Sequence, residues 1–269
     1  MAPRRRDVPP PVSGEPKAVA APSGPGLETP SSALVVAAHP DDAEFQCGAT
    51  LAKWARDGAL VHHLVLTDGT KGTWDPDVDP GELLERRQHE QRRAAETLGA
   101  RGEVVFLGEV DGELRNTIEN RARVSEVIRR LRPSVVLGHD PWKRYRLHPD
   151  HHAAGRLTVD AIVAARDPFF HREQLDAGLV PHRPDALLLF EPDTVNHLEM
   201  VTPADVETKV AALLEHHSQL ETTHFYRLGD LEEGRAIEEF RTRQISLLEH
   251  GDTPGGSLAE TFHVIIDQL

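Results

Sequence analysis

The chain has 269 residues, 39% of them hydrophobic, and a formal net charge of −14 at pH 7, enough length for one large α/β domain or two small ones. The acidic balance argues against a nucleic-acid partner, which needs a basic face, and a single cysteine, Cys47, excludes an intramolecular disulfide framework. No run of 18 apolar residues occurs, so no membrane-spanning helix is predicted; the basic start Met1-Ala2-Pro3-Arg4-Arg5-Arg6 lacks the apolar core of a secretory signal, and a cytoplasmic location is expected.

Residues 1–32 hold eight of the 20 prolines and little apolar periodicity, a composition that cannot bury a core and predicts a disordered tail. No clear break follows, so residues 33–269 are expected to form a single domain. The continuous apolar run over 33–38 predicts a buried central strand. A helix follows over 43–56, with Phe45, Leu51, Ala52 and Ala55 on one face and Gly58 marking its end. Cys47 falls on this helix and reads as a small buried apolar residue. The second strand, 60–67, contains His62 and His63, both expected to be structural because they sit mid-strand, away from its C-terminal end. A turn-rich loop over 68–80 is placed to cover a site. The helix after it, 81–98, is densely charged; most of its charges are expected on a solvated face, with one or two pointing at the site.

A third strand is predicted over 104–107. The helix over 118–131 carries Val124, Val127, Ile128 and Leu131 at i, i+3, i+4 and i+7. A strand at 134–138 leads to a helix at 149–166, whose first turn suits Pro149. The remaining elements are a strand at 185–190, helices at 203–217 and 231–248, and a strand at 262–266. Strands alternating with helices imply right-handed crossovers and an α/β fold with a doubly wound, mostly parallel sheet.

The tripeptide His-Pro-Asp occurs twice, in His39-Pro40-Asp41-Asp42 and in His148-Pro149-Asp150-His151. Each copy falls where a predicted strand gives way to a helix, the place where open α/β sheets bind ligands. His39, Asp42 and His151 make a two-histidine, one-carboxylate set, the composition of a catalytic zinc site that keeps a position open for water. Iron (Fe2+) or cobalt would accept the same donors. Asp41 stands beside the set as a candidate general base, a role worth about 10²–10⁴ in rate. His148 is a candidate to stabilise an oxyanion or protonate a leaving group, with Asp150 holding His148 in one tautomer. Plainer roles compete: Asp41 or Asp42 could cap the following helix, and Asp150 could be a first-turn residue favoured by the helix dipole. Capping calls for no histidine upstream in both places, so the repeat favours one shared site. His152 is expected to be exposed, not a fourth ligand.

These residues resemble the PIG-L/LmbE-like family of zinc-dependent N-acetylglucosamine (GlcNAc) deacetylases. The similarity runs through Ala38-His39-Pro40-Asp41-Asp42 with Gly48, Leu66-Thr67-Asp68-Gly69 with Gly72, and Arg87, Glu90 and Leu98-Gly99. It continues in Gly138-His139-Asp140-Pro141, the second His-Pro-Asp copy with Gly155, Lys209, His216 and Ser218-Gln219, and Ala259-Glu260-Thr261-Phe262. The resemblance implies a Rossmann-like fold, zinc on His39, Asp42 and His151, Asp41 as general base and His148 as the oxyanion or acid group. It further implies that Arg87 and Asp111 contact the sugar conjugate. The implied reaction is hydrolysis of the N-acetyl group of a GlcNAc-containing small molecule. Candidates are a thiol-cofactor precursor such as GlcNAc-inositol or GlcNAc-malate, or a glycosylated natural product. Two departures stand out: Arg146, with Tyr145 beside it, occupies the place two before His148 where some members have tyrosine, and Ala43-Glu44 replaces a Glu followed by a small or apolar residue. The alternatives are an amidase acting on thiol-cofactor conjugates and a non-catalytic sugar-binding module. A dinucleotide oxidoreductase is disfavoured, because no G-x-G-x-x-G follows the first strand. A homo-oligomer is compatible with all of these.

Overall fold

The computed structural model describes residues 27–226, 228, 231–248, 257–266 and 269. The proline-rich tail expected over 1–32 lies outside the described residues as far as residue 26; Leu27 already packs against the core. Five strands, β1 (Ser32–Ala37), β2 (Leu60–Thr67), β3 (Val104–Glu109), β4 (Val135–His139) and β5 (Ala186–Phe190), run parallel. They alternate with α1 (Asp42–Arg56), α2 (Pro80–Thr97), α3 (Ile118–Leu131), α4 (Pro149–Arg166) and the short α5 (Arg172–Asp176). Then follow β6 (His197–Val201), α6 (Pro203–Leu214), α7 (Glu233–Leu248) and β7 (Leu258–Ile265). Among the described residues no helix is long and apolar enough to cross a membrane.

The strand order is β3-β2-β1-β4-β5-β7-β6. β1 is central and sends alternate side chains to opposite layers, as the two-residue period of a strand requires. Ala33, Val35 and Ala37 pack with Leu51 and Trp54 of α1 and Leu98 beyond α2; Leu34 and Val36 pack with Ile128 of α3 and Leu157 of α4. Burial on both faces explains why the strands read as unbroken apolar runs. From β1 the chain winds outward through β2 and β3, then returns to lay β4 on the other side of β1, in register Leu34↔Val136 and Val36↔Gly138. The winding direction therefore reverses between β1 and β4. The C-terminal ends of these two strands open the crevice, and each is followed by one His-Pro-Asp copy.

The expected elements recur with shifted ends, and some are new. β7 pairs antiparallel with β5 and with β6, an edge that alternation of strands and helices did not anticipate. β6 escapes the apolar pattern because it carries Glu199, fully buried, which accepts from Lys53 Nζ at 2.6 Å and Trp54 Nε1 at 3.3 Å. α6 stops at Leu214, short of the predicted 217, and gives way to a 3-10 turn at His217–Gln219 and a π turn at Leu220–His224.

Helix α1 contains a break. Cys47, buried as expected, has φ −146° and ψ 19°, outside the helical range. The N–H groups of Ala49 and Thr50, which begin the second segment, donate to Glu260 of β7 at 3.2 and 2.8 Å. Glu260 thus caps an interior helix start with a carboxylate, the placement a helix N-terminus favours. Lys209 of α6 pairs with Glu260 at 2.8 Å and donates to Phe45 O at 2.8 Å. A Cβ on Gly48 would stand 3.0 Å from Lys209 Cγ, a tight approach that the Lys209 side chain would have to yield to.

Gly155 serves the same purpose on the opposite side of the sheet. A Cβ there would fall 2.6 Å from His139 O and 3.0 Å from Pro141 N, both backbone atoms. Gly155→Ala is expected to lower the unfolding free energy by about 1–3 kcal/mol through overpacking, read as a lower urea midpoint at an unchanged slope.

Candidate metal centre and active site

The turn after β1 is held in an unusual conformation. Asp41 occupies the N-cap position of α1 with φ 92° and ψ −24°, a left-handed backbone that is costly for a non-glycine residue and recurs at functional sites. Its side chain makes no capping hydrogen bond. Its N–H donates to Gln91 Oε1 at 3.0 Å, and Gln91 Nε2 in turn donates to Glu44 Oε1 at 2.8 Å. Glu44 is fully buried, 3.3 Å from His216 Nε2 and 3.6 Å from His63 Nε2. His63 is therefore structural, as expected, but it supports the site through Glu44. Asp42 does not cap forward either: its Oδ2 accepts the N–H of His39 at 2.8 Å.

The carboxylate of Asp42 gathers three imidazoles. Oδ2 lies 3.2 Å from His39 Nδ1 and 3.4 Å from His139 Nε2, and Oδ1 lies 3.2 Å from His151 Nε2. Burial alone would raise Asp42, but His151, His139 and His39 hold its carboxyl well below the usual range. His39 turns its other nitrogen to Asp150 Oδ2 at 3.0 Å and Asp111 Oδ1 at 3.3 Å. Burial would lower His39, yet Asp111, Asp150 and Asp42 push it up to about 12. Three carboxylates, those of Asp42, Asp111 and Asp150, converge on one imidazole and give the pocket a surplus of negative charge, which suits a cation.

Candidate ligand atoms within 4.8 Å of one another form three overlapping groups among the described residues: His39-His148-His151, Asp42-His139-His151 and His39-Asp111-Asp150. The expected set of His39, Asp42 and His151 is not one of these groups; it is joined through Asp42, whose two oxygens each meet one imidazole. Imidazole and carboxylate donors beside an open cavity fit zinc or ferrous iron. In the sequence His139 stands out only within the Gly138-His139-Asp140-Pro141 similarity, without a role of its own. It is fully buried, stacks on His151 at 4.4 Å and lies beside Asp42. Its signal was its place at the end of the strand before the second copy.

The second copy is arranged differently from the sequence expectation. His148 is the exposed N-cap of α4, and its Nδ1 accepts the backbone N–H of Asp150 at 3.3 Å. The carboxylate of Asp150 points away from His148. It accepts the N–H groups of Gly112 and Leu114 at 2.6 and 3.1 Å and meets His39. Asp150 thus orients His148 through its main chain and His39 through its side chain. The His148 ring lies 4.5 Å from that of His39 and 5.0 Å from that of His151. Arg146 Nη1 stands 3.2 Å from His151 Nδ1 and pairs with Glu191, whereas Tyr145 is exposed. His152 is exposed.

Arg87 and Asp111 line the same cavity, but their contacts are internal. Arg87 is 3% exposed; it donates to Gly69 O at 2.6 Å and Pro40 O at 2.7 Å and stands 3.5 Å from Asp41 Oδ2. A Cβ on Gly69 or Gly72 would fall 2.5 or 2.6 Å from Arg87 Nη1, so both glycines make room for the clamp. Asp111 Oδ2 accepts the N–H of Lys71 at 3.0 Å while Oδ1 faces His39. Both residues expected to contact the sugar line the cavity, and both also position loops and neighbouring side chains around it. Burial pushes the Asp41 carboxyl up to about 6, against the opposing charges of Arg87 and His216. The cavity measures about 270 Å³, and Lys71, Gln219 and Thr223 complete its walls.

A family profile described as PIG-L, GlcNAc-PI de-N-acetylase, matches residues 34–162, the stretch that contains both His-Pro-Asp turns. A diacetylchitobiose deacetylase of Thermococcus kodakarensis is 39% identical over 186 residues, covering 69% of this chain and 69% of that protein. The chain belongs to the PIG-L family. The solved N,N'-diacetylchitobiose deacetylase from Pyrococcus horikoshii, complexed with its inhibitor MPG, superposes with a TM-score of 0.77 at 26% identity, over 88% of this chain and 84% of that one. A 4-oxalmesaconate hydratase of Pseudomonas putida is 31% identical over 180 residues, or 62% of this chain and 68% of that protein. A hydratase therefore stands beside the deacetylases among the relatives of this PIG-L chain.

Asp150→Asn tests the tether between α4, the 112–114 loop and His39. The weakened charge-assisted bonds are expected to cost about 1.5–3 kcal/mol of stability and to weaken metal binding about 10–100-fold. Denaturant unfolding and competition against a metal-binding dye measure the two effects.

Proposed function

We propose that the chain is a metal-dependent N-deacetylase that removes the acetyl group from a GlcNAc-containing small molecule. The observation that carries this is Asp41: a carboxylate held in a left-handed turn, spent on no cap, facing the cavity beside His39 and Asp42. His39, Asp42 and His151 are the residues that would hold the ion. A zinc or ferrous ion bound there would polarise the amide carbonyl and lower the pKa of a water molecule from about 15.7 towards 7.

The chain's own groups do the rest. Asp41 accepts a proton from water as its oxygen attacks the acetyl carbon, and Arg87, 3.5 Å away, favours the charged form needed to start. With Nδ1 accepting from Asp150, a neutral His148 carries its proton on Nε2, free to donate to the developing oxyanion. The C–N bond then breaks. The proton taken by Asp41 passes to the leaving nitrogen, and acetate and a free amine are released. Arg87 and Asp111 act as positioning groups, the one on Asp41 and the other on His39. GlcNAc-inositol, GlcNAc-malate and the GlcNAc unit of a glycosylated natural product all present the acetamide this chemistry needs.

The hydratase relative supports a second reading, in which the same base delivers water to a carbon–carbon double bond. Acetate release separates the two, and it also separates deacetylation from cleavage of a thiol-conjugate amide. Asp41→Asn is expected to keep its metal and to lower kcat by about 10²–10⁴; unchanged turnover would sink the assignment of the base. Dialysis against a chelator is expected to abolish acetate release, and either Zn2+ or Fe2+ at about one ion per chain to restore it. Activity that survives complete metal removal would overturn the metal-dependent reading.

A further inference from the structure

Beside the metal-ligand cavity lies a second one of about 550 Å³, within the size range of small-molecule sites. Its walls are Trp74, Leu220, Phe225, Tyr226 and their apolar neighbours, and the only charged side chains lining it among the described residues are Glu221 and Glu233. Two segments pass directly from one cavity to the other. Lys71 and Gly72 line the first and Trp74 the second; Gln219 and Thr223 line the first, and Leu220, Glu221 and Phe225 the second. The segments are pinned together at that boundary by Gln219 Nε2, which donates to Gly72 O at 2.8 Å. Trp74 is 60% exposed and meets the ring of Tyr226, 51% exposed, edge-on at 6.3 Å. Two large aromatic side chains, each partly exposed and lining a mostly apolar cavity next to a polar cavity with candidate metal ligands, are the anatomy of a ligand subsite.

We propose that this cavity is the subsite for the aglycone of the substrate, and that it takes an uncharged apolar group, aryl or alkyl, and rejects an anionic one. The proposal rests on the deacetylase reading and narrows it. Apolar walls favour apolar surface taken from water, and aromatic rings add edge-to-face contact with an aryl group. Glu221 and Glu233, exposed at the edge of the cavity, would add like charge near any carboxylate or phosphate brought in, which is unfavourable. A malate-linked sugar is thereby disfavoured against an aryl or alkyl glycoside.

The test compares kcat/KM for acetate release from GlcNAc, its phenyl glycoside and GlcNAc-malate, with the metal-loaded wild-type protein and with Trp74→Ala and Trp74→Phe. The phenyl glycoside is expected to exceed GlcNAc by at least about tenfold, which corresponds to about 1.4 kcal/mol, and GlcNAc-malate to show no advantage. Trp74→Ala should erase most of the phenyl advantage, and Trp74→Phe should retain it. Equal values for phenyl glycoside and GlcNAc, or a Trp74→Ala loss of the same size on both, would overturn the subsite. If no N-acetylated sugar is turned over, the deacetylase reading fails, and calorimetric binding of phenyl glucosaminide against glucosamine decides the subsite separately. Tighter binding of the phenyl compound that depends on Trp74 upholds it, and binding indifferent to Trp74 overturns it. Self-association lost in Trp74→Ala, without any aryl preference, would assign this face to a second copy instead.

Discussion

A single buried carboxylate, that of Asp42, meets imidazoles that come from three places in the chain. His39 follows β1, His139 ends β4 and His151 lies in the first turn of α4. An ionised carboxylate out of water is tolerable only when it is paired, so this convergence constrains the fold around it. β4 has to lie beside β1 and in register, and α4 has to start close against the end of β4, which is what Gly155 permits. Asp41, Asp111 and Asp150 add further negative charge within the same small volume. The pocket is built to be short of positive charge.

The loops around this charge are fastened mostly by side chains that bind main chain. Arg87 holds two carbonyls, Asp150 two amides, Asp111 one amide, and Gln91 the amide of Asp41 itself. Such bonds fix loop shape without relying on the loops' own composition. They also explain how Asp41 persists in a conformation its side chain disfavours: the surroundings over-determine it. A carboxylate held this way is already oriented towards the cavity and needs little reorganisation to act there.

Much of the architecture was legible because its signals are local. The strand over 33–38 and the strand and helix around 135–166 announce themselves as apolar runs and helical periods, and Pro149 marks the start of α4 within the pattern. The His-Pro-Asp copies stood out because two strand ends carried the same uncommon tripeptide. What could not be seen depends on partners far away in sequence. Glu199 looks like a solvated strand residue until Lys53 and Trp54 are beside it. Glu44 gains its meaning from His216, 172 residues later. The direction of the Asp150 carboxylate is set by amides of the 112–114 loop, which no spacing around Asp150 encodes. The apolar cavity lined by Trp74 and Tyr226 joins one loop after β2 to another after α6, so neither segment shows it alone.

The break in α1 links the two extremes of the described chain. Ala49 and Thr50 lie just past the turn that carries Asp41 and Asp42, yet the carboxylate that receives their amides stands on β7, 211 and 210 residues further on. During synthesis the first crossover emerges early, and those amides can exchange water for Glu260 only once β7 has been made. Contacts of such long separation slow folding. A chain that ends before β7 would hold His39, Asp42 and His151 and still lack the carboxylate that receives the first amides of the second segment of α1.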